Sequence, residues 1–89
     1  MAKVLFSSSF VDDLLQIYSA DMEQRVYAAI ENLERFPEMG PVDMRPSIVA
    51  RFEGRARKVV IGPFDLLYVY DREKDELHLD ALMSQRAVR

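Results

Sequence analysis

The sequence has no cysteine, which excludes a disulfide framework and any chemistry that needs a thiolate. It has one histidine, His78, with neither a second histidine nor a carboxylate at ligand spacing, so no zinc site is expected and no other metal or cofactor is called for. The acidic turn holding Asp71, Glu73, Asp75 and Glu76 lacks the spacing and the glycine of a calcium loop, and reads as solvated. "GPF" and "GRAR" match neither glycine-rich phosphate fingerprint. "SSS" at residues 7–9 lacks the flanking glycines of a nucleophile elbow, and helix capping accounts for it. No apolar run approaches the ~20 residues of a membrane span. The apolar N-terminal stretch is too short for a signal peptide, so a cytoplasmic protein without a membrane role is expected. Repeats, linkers and low-complexity tracts are absent too. What remains is one domain over residues 1–89, short enough to bury only roughly 60–65% of its unfolded surface, so a partner is a natural source of added stability.

Charge is unevenly spread. The net charge is −3, but residues 1–43 hold eight acids and three bases, whereas residues 44–89 hold seven acids and nine bases. Arg45, Arg51, Arg55, Arg57 and Lys58 fall close together against only Glu53. An acidic total disfavours non-specific nucleic-acid binding, yet a local basic cluster can hold phosphate or simply be a solvated face.

The chain order reads as strand, two helices, then strands. "KVLF" at residues 3–6 is short, apolar and β-prone. Ser9 and Asp12 form a capping-box pattern, and Phe10, Leu14, Ile17 and Tyr18 recur at helical spacing, which predicts a helix over about residues 9–18. A second helix starts at Ser19 or Asp21, runs on the apolar face of Met22, Val26, Ala29, Ile30 and Leu33, and ends before Pro37. Residues 37–47 hold three prolines and a glycine and predict an irregular connection. "IVARF" at 48–52 reads as an edge strand or approach segment. "RARKVVI", "FDLLYVYD" and "ELHLDALM" read as a three-stranded meander. The fold class is therefore α+β, β-αα-βββ, with a helix hairpin on one face of a small antiparallel sheet.

Strict alternation assigns the faces. Leu77, Leu79, Ala81 and Met83 would lie under the helices, as would Phe64, Leu66, Tyr68 and Tyr70. His78, Asp80, Leu82, Asp65, Leu67 and Val69 would point the other way. Leu67, Val69 and Leu82 then form an apolar patch that a partner would cover. In "RARKVV" the apolar residues run on, so either Arg55 and Arg57 or Ala56, Lys58 and Val60 share that open face.

Clustered cations leave one chemistry to consider. RNA cleavage by its own 2′-hydroxyl needs a base, an acid and positive charge at the phosphate, but no metal. Arg55, Arg57, Lys58 and Arg86 are the candidate cations; His78, Asp65 and Asp80 are the acid–base candidates.

The chain resembles the RelE/ParE superfamily of bacterial type II toxin–antitoxin toxins, some of them called plasmid stabilisation proteins. The resemblance rests on the element order, "ENLERFPEMG" closing the second helix, "RKVVIGPFDLLYVYD", and "LHLDALMSQR" with its terminal arginine. It implies a growth-inhibiting toxin neutralised by a cognate antitoxin that wraps it, in a toxin–antitoxin hetero-oligomer. The patch at Leu67, Val69 and Leu82 and the grooves beside the helix hairpin would suit that antitoxin. One branch of the superfamily consists of mRNA interferases acting in the ribosome; another inhibits DNA gyrase without a catalytic set. Arg55, Arg57 and Lys58 match the family's basic second strand and Arg86 its terminal arginine; with His78, taken from its own place on the last strand, Arg57 and Arg86 are the catalytic candidates, and Arg55 and Lys58 would bind phosphate. Asp65 stands where the nucleases usually carry arginine, and Ser84 where His or Tyr is common. Aspartate repels a phosphate and serine does not replace an imidazole, so enzyme and non-catalytic binding domain (or weakened toxin) both stand as readings.

Overall fold

The computed structural model describes residues 1–85. Its elements are β1 (Lys3–Phe6), α1 (Ser8–Leu15), α2 (Ala20–Arg35), α3 (Pro46–Phe52), β2 (Arg57–Ile61), β3 (Phe64–Asp71) and β4 (Glu76–Ser84). The strand order is β1-β4-β3-β2. α1 and α2 carry the chain from one edge of the sheet to the other, and the meander β2-β3-β4 then returns toward β1. The meander is antiparallel, but β4 arrives running parallel to β1, so the sheet is mixed. The α+β class and the helix pair on one face stand as read from the sequence.

The helix starts follow local chemistry. Ser7, two residues before the expected cap, accepts from the Phe10 amide at 3.0 Å. Ser19 caps α2 in the same way through the Met22 amide, and α2 stops at Phe36, just before Pro37. Phe10, Val26, Ile30 and Leu33 meet Leu66, Tyr68, Leu77 and Leu79 in the main core.

Residues 48–52, expected to be extended, form α3 instead. Pro46 sits in its first turn with the required φ already set. Ile48 and Phe52, one turn apart, both meet the sheet. The turn Glu53-Gly54, both at positive φ, ends the helix. α3 covers the second face of the sheet, where Ile48, Ala56, Leu67 and Ala81 are buried as a second small cluster. That face is therefore open only in part, around His78.

A bulge changes the facing of β4. Leu67 pairs with Ala81, but Tyr68 pairs with Leu79, leaving Asp80 as the extra residue. One extra residue reverses every later side chain. Leu82 thus enters the main core with Leu77 and Leu79, while Ala81 and Met83 turn to the α3 side. The alternation assigned to Ala81, Leu82 and Met83 is corrected accordingly. The β2 phase is also fixed: Lys58 and Val60 oppose Leu67 and Asp65, whereas Arg57, Val59 and Ile61 oppose Tyr68, Leu66 and Phe64.

Candidate functional site

Arg57 lies on the α1–α2 side of the sheet, at its rim. Its Nη1 donates to the Gly40 carbonyl at 2.8 Å and the Glu38 carbonyl at 3.2 Å, and its Nη2 is 3.7 Å from the Glu38 carboxylate. The guanidinium thus staples the loop after α2 to the sheet. Gly40 is pressed into the same corner, its amide donating to the Tyr68 hydroxyl at 3.0 Å. Burial raises the Tyr68 phenol pKa, against the pull of the Gly40 amide and Arg57.

His78 lies on the opposite side, beside Val69 and Leu5 in the ladder. Its Nε2 is 3.3 Å from Glu76 Oε1. Arg55, Phe52, Asp71 and Asp80 line the same hollow as His78. Partial burial raises the Asp80 pKa, while His78 and Arg51 lower it. The structure therefore brings Arg55 and His78 together, but in company with Glu76, Asp71 and Asp80. It does not bring Arg57 to them, because the sheet lies between. Lys58 points to the α3 side, where its charge helps to lower the Asp43 pKa. Arg86 lies outside the described residues.

The proposed antitoxin contacts are placed differently from their expected open patch. Leu67 is buried beneath α3, Leu82 is buried in the main core, and Val69 is half-buried beside the second cluster. α3 removes the bare face that motivated them.

Asp65 and Asp43, the two buried acids, belong to a network that sequence reasoning missed. Arg45 donates to Asp65 through Nη1 at 2.8 Å, and to both oxygens of Asp43 through Nε and Nη2. The Arg45 amide adds a bond to Asp43 at 3.0 Å, and Gln85 Nε2 donates to the second oxygen of Asp65 at 3.1 Å. Hydrogen bonding from Arg45 holds the Asp43 pKa below its usual value, against burial, and the carboxylates raise that of Arg45. Asp65 is thus committed to an internal arginine. The twenty residues separating it from Arg45 left no spacing signal, although an aspartate among apolar strand neighbours was a hint.

Some of the exposed apolar side chains lie near the C-terminal end of α2. Phe36 and Met39 are more than half exposed, and Val60 on the rim of β2 equally so. One cleft lies between α2 and β2, lined by Arg25, Ala28, Ala29, Asn32, Met39 and Val60. A second hollow, lined by Arg35, Phe36, Pro37, Glu38 and Tyr70, adjoins it at Met39.

Over residues 4–88 the sequence matches the family described as the ParE toxin of the type II toxin–antitoxin system parDE. The chain belongs to that family. Solved structures share its fold. A chain of the intact E. coli RelBE toxin–antitoxin complex superposes with a TM-score of 0.74 at 9% identity, covering 94% of this chain and 96% of that one. A chain of the Mycobacterium tuberculosis RelBE2 complex gives 0.67 at 20% identity, covering 94% and 98%. One from the Methanococcus jannaschii RelB–RelE complex gives 0.66 at 13%, covering 93% and 92%. No curated protein matches in sequence. At these identities the ParE-family chain shares a backbone with the RelE structures, and its site must be judged on its own side chains. Among the described residues no group of three or more His, Asp or Glu side chains is placed to hold a metal ion, and no helix is long and apolar enough to cross a membrane.

Proposed function

We propose that this ParE-family toxin inhibits growth by binding a protein target, with DNA gyrase the first candidate, and does not cleave mRNA. A cognate antitoxin neutralises it. The observation that carries this reading is the separation of the candidate nuclease groups. Arg57 is spent on the 38–40 loop on one side of the sheet, and His78 sits among Glu76, Asp71 and Asp80 on the other. General acid–base cleavage needs its base, acid and cations within reach of one phosphate. Here the hollow nearest His78 sets a single arginine, Arg55, against Asp71 and Asp80, and the carboxylates repel the charge that a cleavage transition state develops. A net charge of −3 also opposes steering into an anionic ribosomal site.

The test uses the purified chain in two assays, gyrase-catalysed supercoiling and mRNA integrity in a bacterial translation extract. Supercoiling is expected to fall with added chain while mRNA stays full-length. Specific cleavage of ribosome-bound mRNA, abolished in Arg57→Ala, would refute the proposal.

A further inference from the structure

We propose that the β1 edge of the sheet pairs with itself: two copies of the chain join their β1 strands antiparallel about a two-fold axis at Leu5. The inference is independent of which target the toxin binds.

The main chain of β1 fixes which groups are open. β1 ends the sheet order, with β4 as its only neighbour. Lys3 N donates to Asp75 O at 2.9 Å and Ser7 N to Leu79 O at 3.0 Å, so the odd-numbered residues face β4. Alternation turns the N–H and C=O of Val4 and Phe6 outward. Among the described residues nothing bonds to those groups. The opposite edge differs, because residues 41–43 already occupy part of β2: Lys58 N donates to Pro41 O, and Asp43 N to Ala56 O. β1 has neither proline nor bulge to blunt its edge, and its one charge, Lys3, stands at its end.

The open groups complement themselves in one register. With Leu5 opposite Leu5 of the second copy, Val4 opposes Phe6 and Phe6 opposes Val4. Both are then hydrogen-bonded pairs, and every open group is matched. A two-residue slip either way fails. One calls on Ala2, whose N–H already goes to Glu34 O at 3.2 Å; the other calls on Ser8, the first residue of α1.

The side chains agree with that register. Phe6 is 52% exposed and Leu5 is half-buried, and neither enters a core cluster. Phe6 would cover Val4 of the second copy on the α1–α2 side, an aromatic against a β-branched residue. On the other side Leu5 would meet its own counterpart in a non-hydrogen-bonded pair, where side chains stand closest. Lys3 would oppose Ser7, so no like charges face each other. α1 continues along the β4 edge where β1 stops, and its exposed Val11 and Leu15, one turn apart, lengthen the apolar rim. Four residues a side fall short of the ~800 Å² per partner of a standard interface, so the dimer belongs to the weak class and forms as concentration rises.

The chain holds no cysteine, so one introduced cysteine reports the register. A non-hydrogen-bonded pair sets its Cα atoms about 4.5 Å apart, within disulfide range. Leu5→Cys is expected to oxidise to a covalent dimer about tenfold faster than Phe6→Cys, although Phe6 is the more exposed. Random collision favours Phe6→Cys, so equal or reversed rates overturn the proposal. In sedimentation, Leu5→Lys alone and Leu5→Glu alone should stay monomeric where the wild-type chain dimerises, because each sets like charges together at the axis. Mixing the two should restore a dimer that high salt weakens, a recovery that misfolded variants would not show. Two folded variants that fail to recover on mixing overturn the proposal, as does a wild-type chain that stays monomeric up to about 1 mM. The cysteine comparison decides alone if a charge at residue 5 unfolds the chain. Protection of the Val4 and Phe6 amides from hydrogen exchange, gained only on adding a different protein, would give the edge to that protein and also overturn self-pairing. The supercoiling and mRNA assays test the toxin reading separately.

Discussion

Two carboxylates, Asp43 and Asp65, are buried against the one guanidinium of Arg45. Burying a charge is tolerable only when it is paired and hydrogen-bonded, so removing the shared partner harms both at once. Arg45→Ala is expected to cost about 3–5 kcal/mol, the usual penalty for stranding a buried charge, read as a lower midpoint in urea at pH 7. The pH dependence has a definite sign. Asp43 has a folded pKa below its unfolded value of about 4, so its contribution is full above that value. It is lost as pH falls through the lower folded value. Acid titration of stability should therefore show a decline beginning near pH 4 that Asp43→Asn flattens. Gly40 makes a separate prediction. A Cβ there would stand 2.5 Å from the Lys58 carbonyl and 2.8 Å from the Tyr68 hydroxyl. Gly40→Ala should destabilise by about 1–3 kcal/mol, as overpacking does, visible as a drop in Tm.

At the scale of elements, β4 outruns its parallel partner. β1 ends at Phe6, paired with Leu79, and beyond it α1 supplies substitutes. Asp13 Oδ2 accepts from the Leu82 amide at 3.0 Å, and Ser7 Oγ donates to the Asp80 carbonyl at 2.9 Å. A helix side chain thus completes a strand's hydrogen bonding at the bulge. Asp13→Ala should cost about 1–3 kcal/mol for the unpaired amide, whereas Asp13→Asn keeps an acceptor and should recover most of it; paired chemical denaturation curves decide. α3 has a similar structural task. Ile48→Ala should cost about 2–5 kcal/mol through the cavity it leaves, and near-neutral behaviour would mean that α3 does not seal the sheet.

For the molecule as a whole, the arrangement separates functions by face. One face of the sheet is core beneath α1 and α2, the second is partly covered by α3, and Phe36, Met39 and Val60 are exposed near the end of α2 and the rim of β2. On the proposed reading, growth arrest does not depend on His78. His78→Ala is therefore expected to leave growth arrest unchanged in viable counts after induced expression; a large loss of toxicity would restore an acid–base role.

The α+β order, the caps of α2, β3 and the meander were legible because each depends on neighbours in sequence: a serine before an apolar period, a proline after it, alternation between turns. α3 was not legible, since Ile48 and Phe52 are equally good as strand or helix until a sheet face is there to bury them. The Asp80 bulge was equally hidden, because alternation carries no mark of one residue inserted against a partner strand, and with it went the facing of Leu82. The roles of Arg57 and Asp65 were decided only by folding. Charge type is written in the sequence, but whether a guanidinium meets a phosphate, a loop carbonyl or a buried carboxylate depends on which distant segment the fold sets within hydrogen-bonding distance.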